Sequence, residues 1–403
     1  MPAAVIFVNG ILLSYLFSFN FSSDTELKLL ALPNFLAVIF IVPAALASDR
    51  LGKKRIGTAG LICTVTGYIL ITLAGSLNGI AAKQAIVAGI AVFGIGFTLF
   101  ASSWLALLFP IIPQNIRGRF FGKVRTSFRA VTLVITLLTS LVLSKYSADW
   151  ILQALMGFFT LMLLLRLVIY LRLPELEKKR SKQESIKHRL LYILRAPKFI
   201  SYCLYMFTVS LAIGSCPFLF GLLEKDILHF TKSEIIMLGT LLLTGEIGGF
   251  YSGGKAVDHL GPRCLLVICQ IAITIATLLF IFRESFPFEI MITMGFITML
   301  WGFISAALSI AVVSELLGLI PPDNKSLSTA FATMVLIGGV VLAAMLAAKA
   351  IEYSLIPSWD FLGHTMSVYD TILLVCAATS IFALLLIRIV PFIPVHAADS
   401  PIS

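Results

Sequence analysis

Charge is what this sequence has least of. Aspartate, glutamate, lysine and arginine make up 12% of its 403 residues and hydrophobic residues 59%, whereas a soluble domain is about a quarter charged. A water-soluble globular fold is thereby excluded, and an integral membrane protein is indicated. The stretch from Met1 to Gly10 contains no lysine or arginine. It lacks the basic leader of a cleaved signal, so the chain is expected to begin with its first membrane span.

Reactive chemistry is equally sparse. The six cysteines, Cys63, Cys203, Cys216, Cys264, Cys269 and Cys376, lie in or beside apolar runs and form no C-x-x-C pair. They behave as small hydrophobes, and neither a disulfide frame nor a metal site is expected. H-E-x-x-H, G-x-S-x-G and acid-rich clusters are missing, so no metal, no cofactor and no enzymatic reaction is expected. The run Gly249-Phe-Tyr-Ser-Gly-Gly254-Lys255-Ala256 comes within one residue of a phosphate-binding loop. Ala256 stands where the magnesium-holding hydroxyl is needed, and the run closes an apolar stretch instead of following a strand.

Long apolar runs are abundant. A bilayer core takes about 20 apolar residues per helix, and in lipid only helices or closed barrels satisfy the backbone. Uniformly apolar runs are helices, because a barrel strand would alternate. Spans are expected at roughly 3–21, 29–48, 56–75, 85–109, 126–144, 150–171, 199–222, 235–255, 264–282, 288–317, 328–350 and 370–390. The fold class is an all-α membrane protein of about twelve transmembrane helices.

The sequence also repeats. Ala45-Leu-Ala-Ser-Asp49-Arg50-Leu51-Gly52-Lys53-Lys54-Arg55 returns, degraded, as Gly254-Lys-Ala-Val-Asp258-His259-Leu260-Gly261-Pro262-Arg263. In each copy a small residue (Ala45, Gly254) precedes the aspartate by four, a glycine (Gly52, Gly261) follows it by three and a cation (Lys54, Arg263) by five. A second pair of landmarks, Pro113 to Arg117 and Pro321 to Lys325, superposes under the same shift of about 208 residues, which marks a duplication. Two pseudo-symmetric six-helix halves are expected, residues 1–171 and 199–403, joined by a basic linker at 172–198.

Orientation follows from lysine and arginine alone. With the Asp49 loop inside, about 23 of the 30 cations fall on that side. Lys28, Lys83, Lys145, Lys225, Lys232, Arg283 and Lys349 fall on the other. Both termini are therefore expected in the cytoplasm, in a cell membrane. The linker is basic but has no interleaved aromatics and no folded module around it, so nucleic acid is not an expected partner. The linker could touch anionic lipid headgroups, and the net charge of +10 reflects topology.

Two six-helix halves, a central basic loop and the Asp49-Arg50-x-Gly52-Lys53-Lys54 motif between the second and third helices together resemble the major facilitator superfamily of secondary transporters. The resemblance covers essentially the whole chain and says almost nothing about substrate. It implies alternating access, with two halves rocking about a midplane site. It also implies a latch at Asp49, Arg50, Gly52, Lys53, Lys54, Gly254, Asp258, Gly261 and Arg263, closed only while the cytoplasmic side is closed. Physically, a small residue at Ala45 or Gly254 lets helices approach, the aspartate suits a helix N-terminus, and the glycine permits a tight turn. The alternative for the cations is a plain positive-inside anchor. Glu315, at the cytoplasmic end of the tenth span, could pair with Arg263, while its repeat counterpart is Leu107.

Ionisable groups deep in a bilayer are functional candidates, and Glu246 is the clear case. It precedes Asp258 by 12 residues, about 18 Å along a helix and near the middle of the core. It is either a protonatable coupling site or a structural carboxyl bonded to a neighbouring helix. The fourth span lacks the arginine that proton-coupled relatives often carry, and the fifth, Thr126 to Ser144, lacks glycine. The antiporter signature of the family's drug exporters is thus absent.

In the family the first, fourth, seventh and tenth helices line the cavity, which makes Asn9, Tyr15, Trp104, Tyr205, Thr208, Trp301 and Ser305 the candidates here. Aromatic faces with hydroxyls and amides suit an uncharged polar solute such as a sugar or nucleoside, although ordinary packing explains each residue singly. No buried arginine or lysine is expected at the midplane, which disfavours a di-anionic cargo. A small organic solute moved by a monomer with ion (proton) coupling is the expected function. The alternatives are an amphipathic lipid or lysolipid transporter and a non-transporting scaffold or sensor.

Overall fold

A computed structural model of the chain describes residues 11–108, 117–145, 149–174, 194–319, 325–353, 359–361 and 364–387. The first half contains α1 (Ile11–Leu16), which runs into a short 3-10 turn at Phe17–Phe19, then α2 (Ser23–Leu51), α3 (Lys53–Ala74), α4 (Gly79–Leu108), α5 (Arg117–Lys145) and α6 (Asp149–Leu171). The second half contains α7 (Pro197–Ile213), α8 (Cys216–Asp226), α9 (Lys232–Leu260), α10 (Pro262–Ile281), α11 (Ile290–Leu319), α12 (Lys325–Glu352) and α13 (Val368–Leu386). Among the described residues, 11 helical segments are long and apolar enough to cross a membrane. The first expected span is described only from Ile11, and most of the linker at 172–198 lies outside the described residues, as does Asn9.

Two departures from the expected string have local causes. The seventh span is not one helix: α7 ends where the Gly214 N–H donates to the Ser210 carbonyl at 2.8 Å, and α8 restarts with Pro217 in its first turn. Proline has no N–H to continue the ladder and its ring clashes with the preceding turn. Between α12 and α13 lies a small antiparallel hairpin, β1 (Trp359–Phe361) with β2 (His364–Met366). The Trp359 indole anchors it by donating to Thr371 Oγ1 at 2.9 Å.

Glycines set the closest helix contacts. A β-carbon on Gly60 would meet the backbone of Gly96 and Phe100, and one on Gly67 the backbone of Gly89 and Phe93, so α3 and α4 touch backbone to backbone. In the second half, Gly245, Gly249 and Gly253 on α9 face Met299, Phe303 and Ala307 on α11. Without a hydrophobic drive between helices in lipid, this close approach supplies the packing energy. Gly253 meets Ala307, where an added β-carbon would lie 2.8 Å from Cα, whereas Gly254 faces open space. The small-residue contact expected at Gly254 is therefore made one position earlier, because Gly254 is turned about 100° away around the helix.

Gly52 and Gly261 each end one helix and begin the next, at φ of 108° and 77°. Their N–H groups donate back to Ser48 and Val257 at 3.2 and 3.0 Å. Side chains other than glycine rarely adopt such backbone, which explains why the two repeats share this residue. These loops define one end of the bundle, here called the basic face. The start of α2 and the end of α8 define the far face.

Candidate functional site

The two halves are bridged by polar contacts that run from the far face to mid-depth. At the far face Lys225 Nζ reaches Glu26 Oε2 at 2.5 Å, and the Ser23 hydroxyl donates to Asp226 at 2.6 Å. Lys28 Nζ lies 2.5 Å from Glu352, and Lys232 donates to the Ser18 hydroxyl at 3.0 Å. Just inside, Ser140 and Ser233 exchange hydroxyl-to-carbonyl hydrogen bonds at 2.9 and 2.7 Å, pinning α5 to α9. Deeper along the same two helices, Arg129 forms an ion pair with Glu246 and sits over the Phe250 ring.

Each bridge reflects where the helices begin. Residues 23–28 form the first turns of α2, and 224–226 the last turn of α8, so both project into the same layer. Tyr369 on α13 also donates to Asp226, and Arg283, 4% exposed, pairs with the buried Asp370 at 2.5 Å. Asp370 belongs to the capping box of α13 as well, accepting from the Ser367 N–H and hydroxyl. Lys28, Lys225, Lys232 and Arg283, which looked like mere exceptions to the charge bias, are thus tied into the bundle. Lys83 follows the pattern, donating to the Asn20 carbonyl at 3.0 Å over the Phe21 ring.

Arg129 corrects an expectation. It sits at the edge of the expected fifth span and was counted with the cytoplasmic cations, but α5 begins at Arg117. Twelve residues of helix then place Arg129 about 18 Å from that end, level with Glu246. The chain therefore does carry an arginine deep in the bundle, already neutralised by a carboxylate. Glu246 correspondingly has a cationic partner on the other half.

Between the far-face bridges and the Arg129–Glu246 pair lies a small cleft with room for about 20 Å³, on the order of a single water. Leu13, Leu30, Pro217, Phe218, Phe220 and Leu242 form much of its wall, with Thr298 and Glu224 as its polar side chains. Glu224 is 3% exposed, and no hydrogen bond or ion pair reaches its carboxylate among the described residues. Sequence reasoning missed it. The signal available was the triplet Glu224-Lys225-Asp226 closing an apolar run, which passes for an ordinary polar boundary.

The cavity candidates lie elsewhere in this conformation. The Tyr15 hydroxyl donates to the Ile71 carbonyl at 3.0 Å, and the Trp301 indole donates to Thr277 at 3.3 Å with its ring edge-on to Phe220. Trp104 packs against Phe100 and Tyr170 beneath the Arg166 guanidinium, between α4 and α6. Thr208 and Ser305 return their hydroxyls to their own helices, at Leu204 and Gly302. Tyr205 is buried beside Tyr202 with no partner for its hydroxyl among the described residues. These polar tips serve packing within each half.

At the basic face, Arg50, Asp258 and Arg263 are exposed, Lys53 and Lys54 are half-buried, and Asp49 lies in the last turn of α2. Glu315, near the end of α11, feels the charge of Arg263 within its own half.

The sequence matches the Major Facilitator Superfamily over residues 3–344, and the chain belongs to that family. No curated protein matches it by sequence. Among solved structures, a D-xylose-proton symporter superposes with a TM-score of 0.74 at 13% identity, covering 97% of this chain and 96% of that one. A point mutant of the nucleoside transporter NupG gives 0.71 at 14%, covering 96% and 98%. A point mutant of the E. coli fucose:proton symporter FucP gives 0.66 at 14%, covering 97% and 96%. At such identities these likenesses show the fold, a multi-pass membrane bundle of two six-helix halves.

Proposed function

We propose that the chain is a secondary transporter of a small organic solute, not an enzyme, working by alternating access with a proton as the coupling ion. One observation carries this: the halves are bridged from the far face to mid-depth around a cleft that holds a buried carboxyl. That is the layout of a carrier sealed on one side, with the basic-face residues Asp258 and Arg263 exposed. Asp49, Arg50, Gly52, Lys53, Lys54, Asp258, Gly261 and Arg263 then form the latch of the opposite state, with Glu315 as a local partner for Arg263. The charge bias puts that face and both termini in the cytoplasm, and the chain acts as a monomer.

Glu246 suits the coupling role because its partner, Arg129, lies on the other half, across the proposed moving boundary. A proton arriving on it releases Arg129 and loosens α5 from α9. The test is transport in reconstituted vesicles, with the solute chosen by its effect on thermal unfolding of the purified protein. Glu246→Gln is expected to abolish uphill accumulation while leaving exchange, and undiminished uphill uptake overturns the coupling. Asp49→Asn is expected to slow transport, and wild-type rates would overturn the latch.

A further inference from the structure

Glu224 takes no part in the bridges, and no hydrogen bond or ion pair reaches it among the described residues. Its neighbours on α8 are both engaged, Lys225 with Glu26 and Asp226 with Ser23 and Tyr369. The charged and titratable groups at this end of the surrounding helices are held elsewhere. On α2, Asp24 and Lys28 pair with one another, and Lys28 also with Glu352. On α9, Lys232 donates to Ser18, and Glu234 accepts from the Thr231 N–H as part of its own helix cap. Arg283, just beyond α10, and Asp370 on α13 hold each other. From α1 the Tyr15 hydroxyl is engaged with the Ile71 carbonyl, and from α11 comes the uncharged Thr298, whose hydroxyl donates to the Met294 carbonyl at 2.6 Å.

Lys225 already answers two carboxylates, Glu26 at 2.5 Å and Asp226 at 3.8 Å. An ionised Glu224 would add a third negative charge to this buried layer with no cation to meet it. A buried carboxylate without a counter-charge is costly, and such a group neutralises by keeping its proton. The cleft that Glu224 lines has room for about 20 Å³, on the order of one water. That excludes an organic ligand and suits a carboxylic acid donating to a water. The Thr298 oxygen, on the same cleft, keeps lone pairs with which to accept from that water.

We propose that Glu224 is a second proton-binding site, holding a proton on its carboxyl while the far face is sealed and releasing it to the far side when the bridges part. Glu246 differs in kind, because Arg129 supplies it with a counter-charge. The proposal rests on the transporter reading only in taking the sealed and open far face as alternating states. Opening hydrates the Glu224 carboxyl and removes the cost of its ionised form, so sealing takes up one proton. A rise in far-side pH therefore favours the open form, by at most about tenfold per pH unit for one proton, and acidification favours the sealed one.

Infrared spectroscopy of the purified full-length protein at neutral pH reads the proton directly. A carbonyl stretch of a protonated carboxylic acid, shifted by deuterium exchange, is expected in the parent, lost in Glu224→Gln and retained in Glu246→Gln. A spectrum unchanged by Glu224→Gln overturns the site. Where the glutamine variant does not fold, Glu224→Asp decides: the band must move with the altered side chain, and an unmoved band overturns the site. Thermal unfolding gives an independent check, since the parent should lose stability relative to Glu224→Gln as pH rises, and parallel pH curves overturn the site. Opening is read by labelling Leu30→Cys from the far side with an impermeant maleimide, in a background lacking the exposed Cys264, normalised to unfolded protein at the same pH. Labelling should rise with far-side pH by up to about tenfold per unit, and Glu224→Gln should remove that rise. The infrared band with pH-independent labelling leaves the proton site standing and counts against the alternating states, whereas an equal rise in parent and variant leaves those states standing and overturns the proposal.

Discussion

Lys225 and Glu26 form the most informative bridge, because the two ends differ in what they can do without each other. Glu26 is fully buried, its Oε1 has no partner among the described residues, and Lys225 is the cation paired with Oε2. Lys225 is 22% exposed, lies 3.8 Å from Asp226 and sits over the Phe17 ring. Lys225→Met strands a buried carboxylate, at a cost of about 3–5 kcal/mol to the state sealed at the far face. Glu26→Gln leaves an amide oxygen as acceptor and a cation with water and Asp226 in reach, which costs about 1 kcal/mol. The double variant removes both charges and should return to within about 1–2 kcal/mol of the parent. The sealed population should thus fall by about a hundredfold or more in the lysine variant, and by much less in the other two. Leu30→Cys, placed in the cleft wall below the bridge, reports this through labelling by a membrane-impermeant maleimide from the far side, in a background lacking the exposed Cys264. Labelling should rise steeply with Lys225→Met and modestly with Glu26→Gln. Equal effects of the two single changes, or a double variant as open as Lys225→Met, would refute the reasoning.

Two further outcomes test the packing. Gly249→Ala should lower the melting temperature sharply or prevent folding, since its β-carbon would drive into the Phe303 carbonyl, while Gly254→Ala should be neutral because nothing among the described residues lies within 4 Å; thermal unfolding in detergent distinguishes them, and equal losses would contradict the α9–α11 contact. Asp370→Asn leaves the buried Arg283 guanidinium without its counter-charge and should cost about 3–5 kcal/mol, with the loss largely relieved when Arg283→Met is added; a loss that persists in the double variant would instead place Asp370's value in the α13 cap.

The duplication could be found in the sequence because its key residues answer to backbone geometry. A positive φ at Gly52 and Gly261 admits few other residue types, so the motif survives divergence. Span number followed from apolar length in the same way. The break in the seventh span was also written there, as Gly214-Ser215-Cys216-Pro217, but continuous hydropathy hid it. Pairings across the halves could not be found, because nothing local links Glu26 to Lys225, 199 positions away, or Lys28 to Glu352, 324 away. Arg129 was misplaced because hydropathy marks where the apolar run starts, while the helix itself begins at Arg117. The polar and aromatic cavity candidates were chosen by residue type, yet type does not say which way a side chain turns. Tyr15 and Trp301 found partners inside their own halves, and the cleft was left to leucines, phenylalanines and Glu224.

A carrier that alternates needs each closed state to be tight without being deep, and the far-face bridges meet that requirement. The exposed pair Lys28–Glu352, with side chains 42% and 40% exposed, is worth at most about 1 kcal/mol, because opening returns both groups to water. The buried pair Glu26–Lys225 is different: separating it while the surroundings stay dry is costly, yet its net worth is small once water enters and hydrates both ends. Partial opening is therefore penalised and complete opening is not, which makes the seal act as a switch between two states. The Ser140–Ser233 contacts behave alike, since a hydrogen bond between chain groups replaces bonds to water at a net gain of about 1 kcal/mol. On the proposed reading, a latch of comparable strength at the basic face would offset these few bridges and leave the balance to be tipped by the charge on Glu246.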